Sequence, residues 1–211
     1  MKKLLISFFV LVISLNIFSQ NGRNGPSLWE EIRTNSKLNY DNTKPQIIEA
    51  LKKYDSHQYL INRLSKNGQR YLFYTVSEAL KRDLPVELSL IPFIESQFDP
   101  YAQSSTGASG IWQFIPSTAK ENGLKKNWWY DARRDIVAST DAAYNFLTKL
   151  HQEHDDWLIA IAAYNAGPSR VRKEIKKNKA KGLSTDFWSL NLPKETKAYV
   201  PKILALSEVI R

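Results

Sequence analysis

No stretch of this 211-residue chain alternates apolar and polar residues for more than a few positions. Without that period of two, no half-buried strand is specified. The apolar residues recur instead at the three- and four-residue spacing of amphipathic helices. Pro45 opens a segment with Ile47, Ile48 and Leu51 at that spacing, and His57–Leu64 and Arg70–Leu80 follow as two more. Pro85 is placed to start the apolar run Val86–Glu95, in which Pro92 is expected to put a bend. From Ser96 to Phe114 the period breaks. Asp99-Pro100, Ser104-Ser105, Gly107 and Gly110 make that stretch an ordered loop. Pro116 then starts a short helix that Gly123 stops, and Asp135–His151 reads as a long one. Asp155-Asp156 caps Trp157–Asn165, which Gly167 closes, while Pro168 and Pro193 begin the last two. The pattern predicts an all-α fold of short packed helices.

Hydrophobic residues at 43% and charged residues at 24% exclude a disordered chain. The absence of Cys excludes disulfides, thiolate metal sites and lipid attachment through Cys. Lys2 and Lys3 precede an apolar run, Leu4–Phe18, of about the length of a signal-peptide core and short for a membrane span. Residues 1–20 are therefore expected to be a cleaved export signal, with an uncleaved N-terminal anchor as the alternative. The mature chain would carry no transmembrane span and would reside in the periplasm or cell envelope, not as a lipoprotein. Residues 21–42, rich in Asn, Ser and Gly, read as a polar arm or linker. A break near Leu84 sets a helical extension, 43–84, apart from a main domain, 85–211.

The formal net charge is +9. A basic exported protein is drawn to anionic surfaces such as wall polymers and lipid headgroups. Arg170, Arg172, Lys173, Lys176, Lys177, Lys179 and Lys181 form a dense run, expected to be a solvated helix face. Nucleic acid is not an expected partner outside the cytoplasm. Trp128-Trp129-Tyr130 fits either a core plug or a sugar-stacking surface, and the core is the expectation; Trp157 is expected to pack inside. His151 and His154 are three apart, a spacing that could ligate metal, yet no third ligand accompanies them. They are expected at a solvated helix end, and neither a metal nor a cofactor is expected.

Glu95 stands apart. It ends an apolar helix after Pro92-Phe93-Ile94, where desolvation raises a carboxyl pKa and makes a general acid available near neutrality. On local chemistry alone, a helix-terminal glutamate bonded to loop amides fits equally well.

The wider order of residues adds to this. Glu95-Ser96 is followed by Phe98-Asp99-Pro100, Ala102, Ser104 and Gly107-Ala108-Ser109-Gly110-Ile111-Trp112-Gln113-Phe114. Then come Ala162-Ala163-Tyr164-Asn165-Ala166-Gly167 and Glu195-Thr196-Lys197-Ala198-Tyr199-Val200. This ordered set, from about Thr43 to Arg211, resembles the soluble lytic transglycosylases. These are the goose-lysozyme-like murein lyases of glycoside hydrolase family 23, and the likeness is greatest to the D type of the membrane-bound enzymes. The commoner Gly-Leu-Met-Gln of the family is here Gly110-Ile111-Trp112-Gln113, as in that subgroup.

The resemblance implies a lysozyme-like helical bundle acting on the glycan strands of peptidoglycan. Glu95 would be the catalytic residue, with Ser104, Gln113, Tyr164, Asn165 and Tyr199 around the sugar. It also implies that Glu95 acts first as acid and then as base. Hydrolysis usually needs a second carboxylate, and Asp99, the nearest in sequence, reads as a turn residue. A goose-type hydrolase and an inactive wall-binding protein are the alternatives. The D type often carries C-terminal wall-binding modules and a lipid anchor, which this sequence does not show.

Overall fold

The computed structural model describes residues 27–54 and 57–211, so the expected export signal lies outside the described residues. The helices are α1 (Leu28–Thr34), α2 (Pro45–Lys52), α3 (His57–Lys81), α4 (Ile91–Ser96), α5 (Pro116–Glu121), α6 (Ile136–His154), α7 (Trp157–Ala166), α8 (Pro168–Ala180) and α9 (Lys194–Ile210). Two 3₁₀ turns, Val86–Leu90 and Phe187–Ser189, complete the elements. Among the described residues there are only isolated β-bridges, all in the loops between α4 and α6, and the chain is all-α.

Helix α7 is the centre. Leu158, Ile159, Ala160, Ile161, Ala162 and Ala163 are all buried. A helix apolar on every side belongs inside a protein, and its alanines let neighbours approach closely. Asp156 starts it by accepting from the N–H groups of Leu158 (2.7 Å) and Ile159 (3.1 Å). Helices α6, α8 and α9 pack around it. In α9, residues from Thr196 to Ile210 are largely buried although Pro201 removes one bond from its ladder.

Three local expectations change. The segments predicted as separate helices on either side of residues 65–69 are one helix, α3. Gly68 lies inside it because the ring of Phe98 presses there, 2.4 Å from where a Cβ would sit. The run 86–95 is a buried 3₁₀ turn followed by α4 instead of one bent helix. Pro92 sits in the first turn of α4, where its missing N–H costs no helical bond.

The polar arm also proves structured where it is described. Residues 28–34 form α1, Ile32 and Leu38 are buried, and residues 36–38 run over the core as a strap. Glu87, fully buried, holds this strap. Its carboxylate accepts from the hydroxyl of Ser36 and from the N–H groups of Lys37 (3.1 Å) and Leu38 (3.0 Å). The guanidinium of Arg211 lies 3.9 Å away. The apolar core itself is continuous across Leu84: Ile47, Leu72 and Val76 belong to the same cluster as Val86, Ile161 and Leu204.

Candidate active site

The chain reaches Glu95 through a segment with no freedom to wander. Val86 to Leu90 are all buried, and so are Ile91, Pro92 and Phe93. Directly after α4, Gln97 and Phe98 both adopt left-handed backbone, with φ of 56° and 61°. Two adjacent non-glycine residues there are costly and need a tight surround. Bonds from the N–H of Gln97 to Phe93 (3.0 Å) and of Phe98 to Pro92 (3.3 Å) supply it, together with burial of the Phe98 ring. The helix is thereby stopped one turn after Phe93, and Glu95 projects at its end.

The facing wall is the turn Gly110–Gln113. Gly110 has φ of 82°, and a Cβ there would sit 1.8 Å from the carbonyl oxygen of Arg133, so only glycine fits. Ile111 and Trp112 point into the core, and the Trp112 indole donates to Thr140 at 3.0 Å. The hydroxyl of Ser96 donates to the carbonyl of Ile111 (3.0 Å), tying α4 to this turn. The Gln113 amide donates to Gly110 (2.8 Å) and Ala102 (3.3 Å).

Glu95 opens into a cleft of about 240 Å³. Gln113, Phe114, Ile115 and Thr118, from the loop before α5 and α5 itself, line it together with Phe146 of α6 and Tyr164, Asn165, Gly167 and Pro168 from the α7–α8 junction. Among the described residues, Glu95 is the only carboxylate in that lining. Burial pushes its carboxyl up from 4.5 to about 7. The Tyr199 hydroxyl, donating to Oε1 at 2.5 Å, pulls the other way, and the charge of Glu195 adds to the rise. Burial foremost, then the charge of Glu95, hold the phenols of Tyr199 and Tyr164 well above the usual tyrosine range. Both are neutral donors. Tyr164 spends its hydrogen on the Trp112 carbonyl (2.7 Å). The Asn165 side-chain oxygen accepts from Thr196 (2.8 Å), which leaves the amide N–H groups for a bound molecule.

Five of the six residues singled out from the sequence thus meet: Glu95, Gln113, Tyr164 and Asn165 in the lining, and Tyr199 in direct contact with Glu95. Ser104 lies outside the lining. Its hydroxyl pairs with Thr106 (2.9 Å) and accepts from the N–H of Ala108 (3.0 Å), stabilising the loop before Gln113. Asp99 is a turn residue, its carboxylate accepting from the N–H of Tyr101 at 2.9 Å. Sequence reasoning missed Phe146, Ile115, Thr118 and Pro168 as lining residues, and Thr196 as the partner of Asn165. Nothing local distinguishes Phe146 from Tyr144, the core aromatic two residues before it in α6.

Trp128 and Trp129 correct an expectation: they are exposed, not core. Trp157 is half-buried, and His151 stacks on its ring with centroids 4.0 Å apart. His154 lies beside Glu153, 3.7 Å away.

Residues 75–187 match the family described as the transglycosylase SLT domain. The chain belongs to this family. It is 50% identical over 167 residues to the membrane-bound lytic murein transglycosylase D of Escherichia coli, covering 79% of this chain and 37% of that protein. It is 32% identical over 108 residues to the membrane-bound lytic murein transglycosylase F of Desulfosudis oleivorans, covering 48% of this chain and 22% of that one. The chain therefore spans little more than a third of the first of these relatives. Among solved structures, an inactive mutant of the lytic transglycosylase Slt from Pseudomonas aeruginosa superposes with a TM-score of 0.53 at 28% identity. It covers 70% of this chain and 25% of that one. SLT-family membership and the helical architecture agree with the likeness drawn from the ordered motifs.

Proposed function

We propose that this chain is a peptidoglycan lytic transglycosylase in which Glu95 serves as both acid and base. The observation that carries the reading is Glu95 as the single carboxylate lining the cleft among the described residues, raised to about 7 by burial. A group with that pKa is populated in both protonation states near neutrality, so it can give a proton and take one back.

In the first step Glu95 donates its proton to the bridging oxygen between N-acetylmuramic acid and N-acetylglucosamine. The C1–O bond breaks and the muramic N-acetyl oxygen stabilises the cationic C1. The ionised Glu95 then removes the proton of the C6 hydroxyl, whose oxygen attacks C1. A 1,6-anhydro ring closes, Glu95 regains its proton, and no water is consumed. Tyr199 steadies the carboxylate through its hydrogen bond while the charge is present. Gln113 and Asn165 offer amide groups to the sugar, and Tyr164 fixes the turn that carries Gln113. Ser104 acts through the loop it braces.

Residues 1–20 are proposed as the export signal that delivers the protein to the periplasm or cell envelope. The names of the relatives support murein as the substrate.

The products decide between lyase and hydrolase. Mass spectrometry of sacculi digested by the protein is expected to show muramic ends lighter by one water than reducing ends. Reducing ends alone would replace the transglycosylase by a goose-type hydrolase.

A further inference from the structure

The loop between α5 and α6 holds apolar rings in the open. Trp128 is 86% exposed and Trp129 is 89% exposed, with Tyr130 beside them at 43% and Val137, on the first turn of α6, at 60%. Single exposed apolar residues are ordinary, but a cluster with two indoles marks an interaction surface.

The loop is braced to present them. The Asn127 side-chain oxygen accepts from the N–H groups of Trp129 (2.9 Å) and Tyr130 (2.8 Å), and the Asn127 N–H donates to the Tyr130 carbonyl (2.8 Å). Lys126 and Asp131 close the base as an antiparallel bridge, and Arg133 clamps Asp131 at 2.7 Å. The Tyr130 hydroxyl donates to Asp135 (2.9 Å), the residue that caps α6. A tip ordered in advance loses little further freedom on binding.

Exposed tryptophans suit two kinds of partner, a sugar chain or the headgroup layer of a bilayer. A platform for successive sugars needs aromatic faces laid side by side. Here the two indoles stand at 86° to one another with centroids 6.0 Å apart, so the edge of one meets the face of the other. That shape is a wedge. Indole rings partition to the headgroup level of bilayers. The exposed ammonium groups of Lys125 and Lys126, immediately before the tip, place positive charge where lipid phosphates lie. The Lys126 ammonium is 3.9 Å from Asp131, whose charge is already committed to Arg133.

We propose that the Trp128–Trp129 loop is a shallow insertion wedge that seats this domain on an anionic phospholipid surface. No helix among the described residues is long and apolar enough to cross a membrane. The inference is independent of the reaction assigned to the cleft.

The test compares the full chain with its Trp128→Ala/Trp129→Ala variant by co-sedimentation with vesicles. One set contains phosphatidylglycerol and phosphatidylcholine, the other phosphatidylcholine alone. Affinity for the anionic vesicles is expected to fall at least about tenfold in the variant. Acyl-brominated lipids should quench the parent's tryptophan emission more than the variant's. Both substituted side chains are exposed, so the thermal midpoint should not move and folding should not confound the comparison. Equal vesicle binding by the two proteins, or none by the parent, would overturn the proposal. So would a loss confined to lipid-free sacculi, which would make the loop a glycan surface.

Discussion

Glu95→Gln is expected to give a folded protein that releases sugar from peptidoglycan at least about a hundredfold more slowly, the lower end of what a positioned acid or base contributes. The amide keeps the size of the side chain and can still accept from Tyr199, whose hydroxyl lies 2.5 Å from the native carboxylate. It cannot deliver or recover a proton.

The same substitution should raise stability at high pH. Below about 4.5 the Glu95 carboxyl is protonated in folded and unfolded chains alike, and burying it carries no ionic cost. As pH rises from there, the unfolded chain loses its proton first, and the cost of the folded state grows until its own value of about 7 is passed. Above that the native protein carries a penalty of about 3 kcal/mol that the amide does not. Urea denaturation at pH 8 and pH 4 checks this, and a variant less stable than the parent at pH 8 would contradict it. Undiminished clearing of a wall suspension by Glu95→Gln would remove the residue from the chemistry.

The second large effect lies away from the cleft. Glu87→Ala is expected to cost about 3–5 kcal/mol, since each partly or fully buried donor left without its acceptor costs about 1–3 kcal/mol. The loss would leave the N–H groups of Lys37 and Leu38 and the hydroxyl of Ser36 without their acceptor, while the Arg211 guanidinium keeps its nearer partner Glu208 at 3.0 Å. Glu87→Gln should cost less, since its carbonyl still accepts from part of this set. The midpoint of urea denaturation reads both. A shift corresponding to less than about 1 kcal/mol in Glu87→Ala would show that the strap is not held through this carboxylate.

The helices were legible where a single residue decides a boundary. Pro45, Pro116, Pro168 and Pro193 start or cap helices, and Asp135 and Asp156 accept from the first free N–H groups of theirs. The strap was not legible, because its stabilising partner is a carboxylate 49 residues from Leu38, bonding to main-chain groups that carry no mark of it. Nor was the exposure of Trp128 and Trp129: an indole reads the same in a core and on a loop tip. In the site, the apolar run before Glu95 pointed to a raised carboxyl, but local chemistry alone left a purely structural glutamate equally open. Its partner Tyr199 is 104 residues away, and the ordered motifs alone brought the two together.

The central claim is that one buried carboxyl, poised near neutrality, does the work of both acid and base. The most direct measurement is a ¹³C NMR titration of the glutamate side-chain carboxyls. The Glu95 resonance would be identified as the one missing from Glu95→Gln. A midpoint near 7 is expected. A midpoint at the ordinary carboxyl value of 4.5 would contradict the account, since a group ionised throughout the neutral range could not supply the first proton.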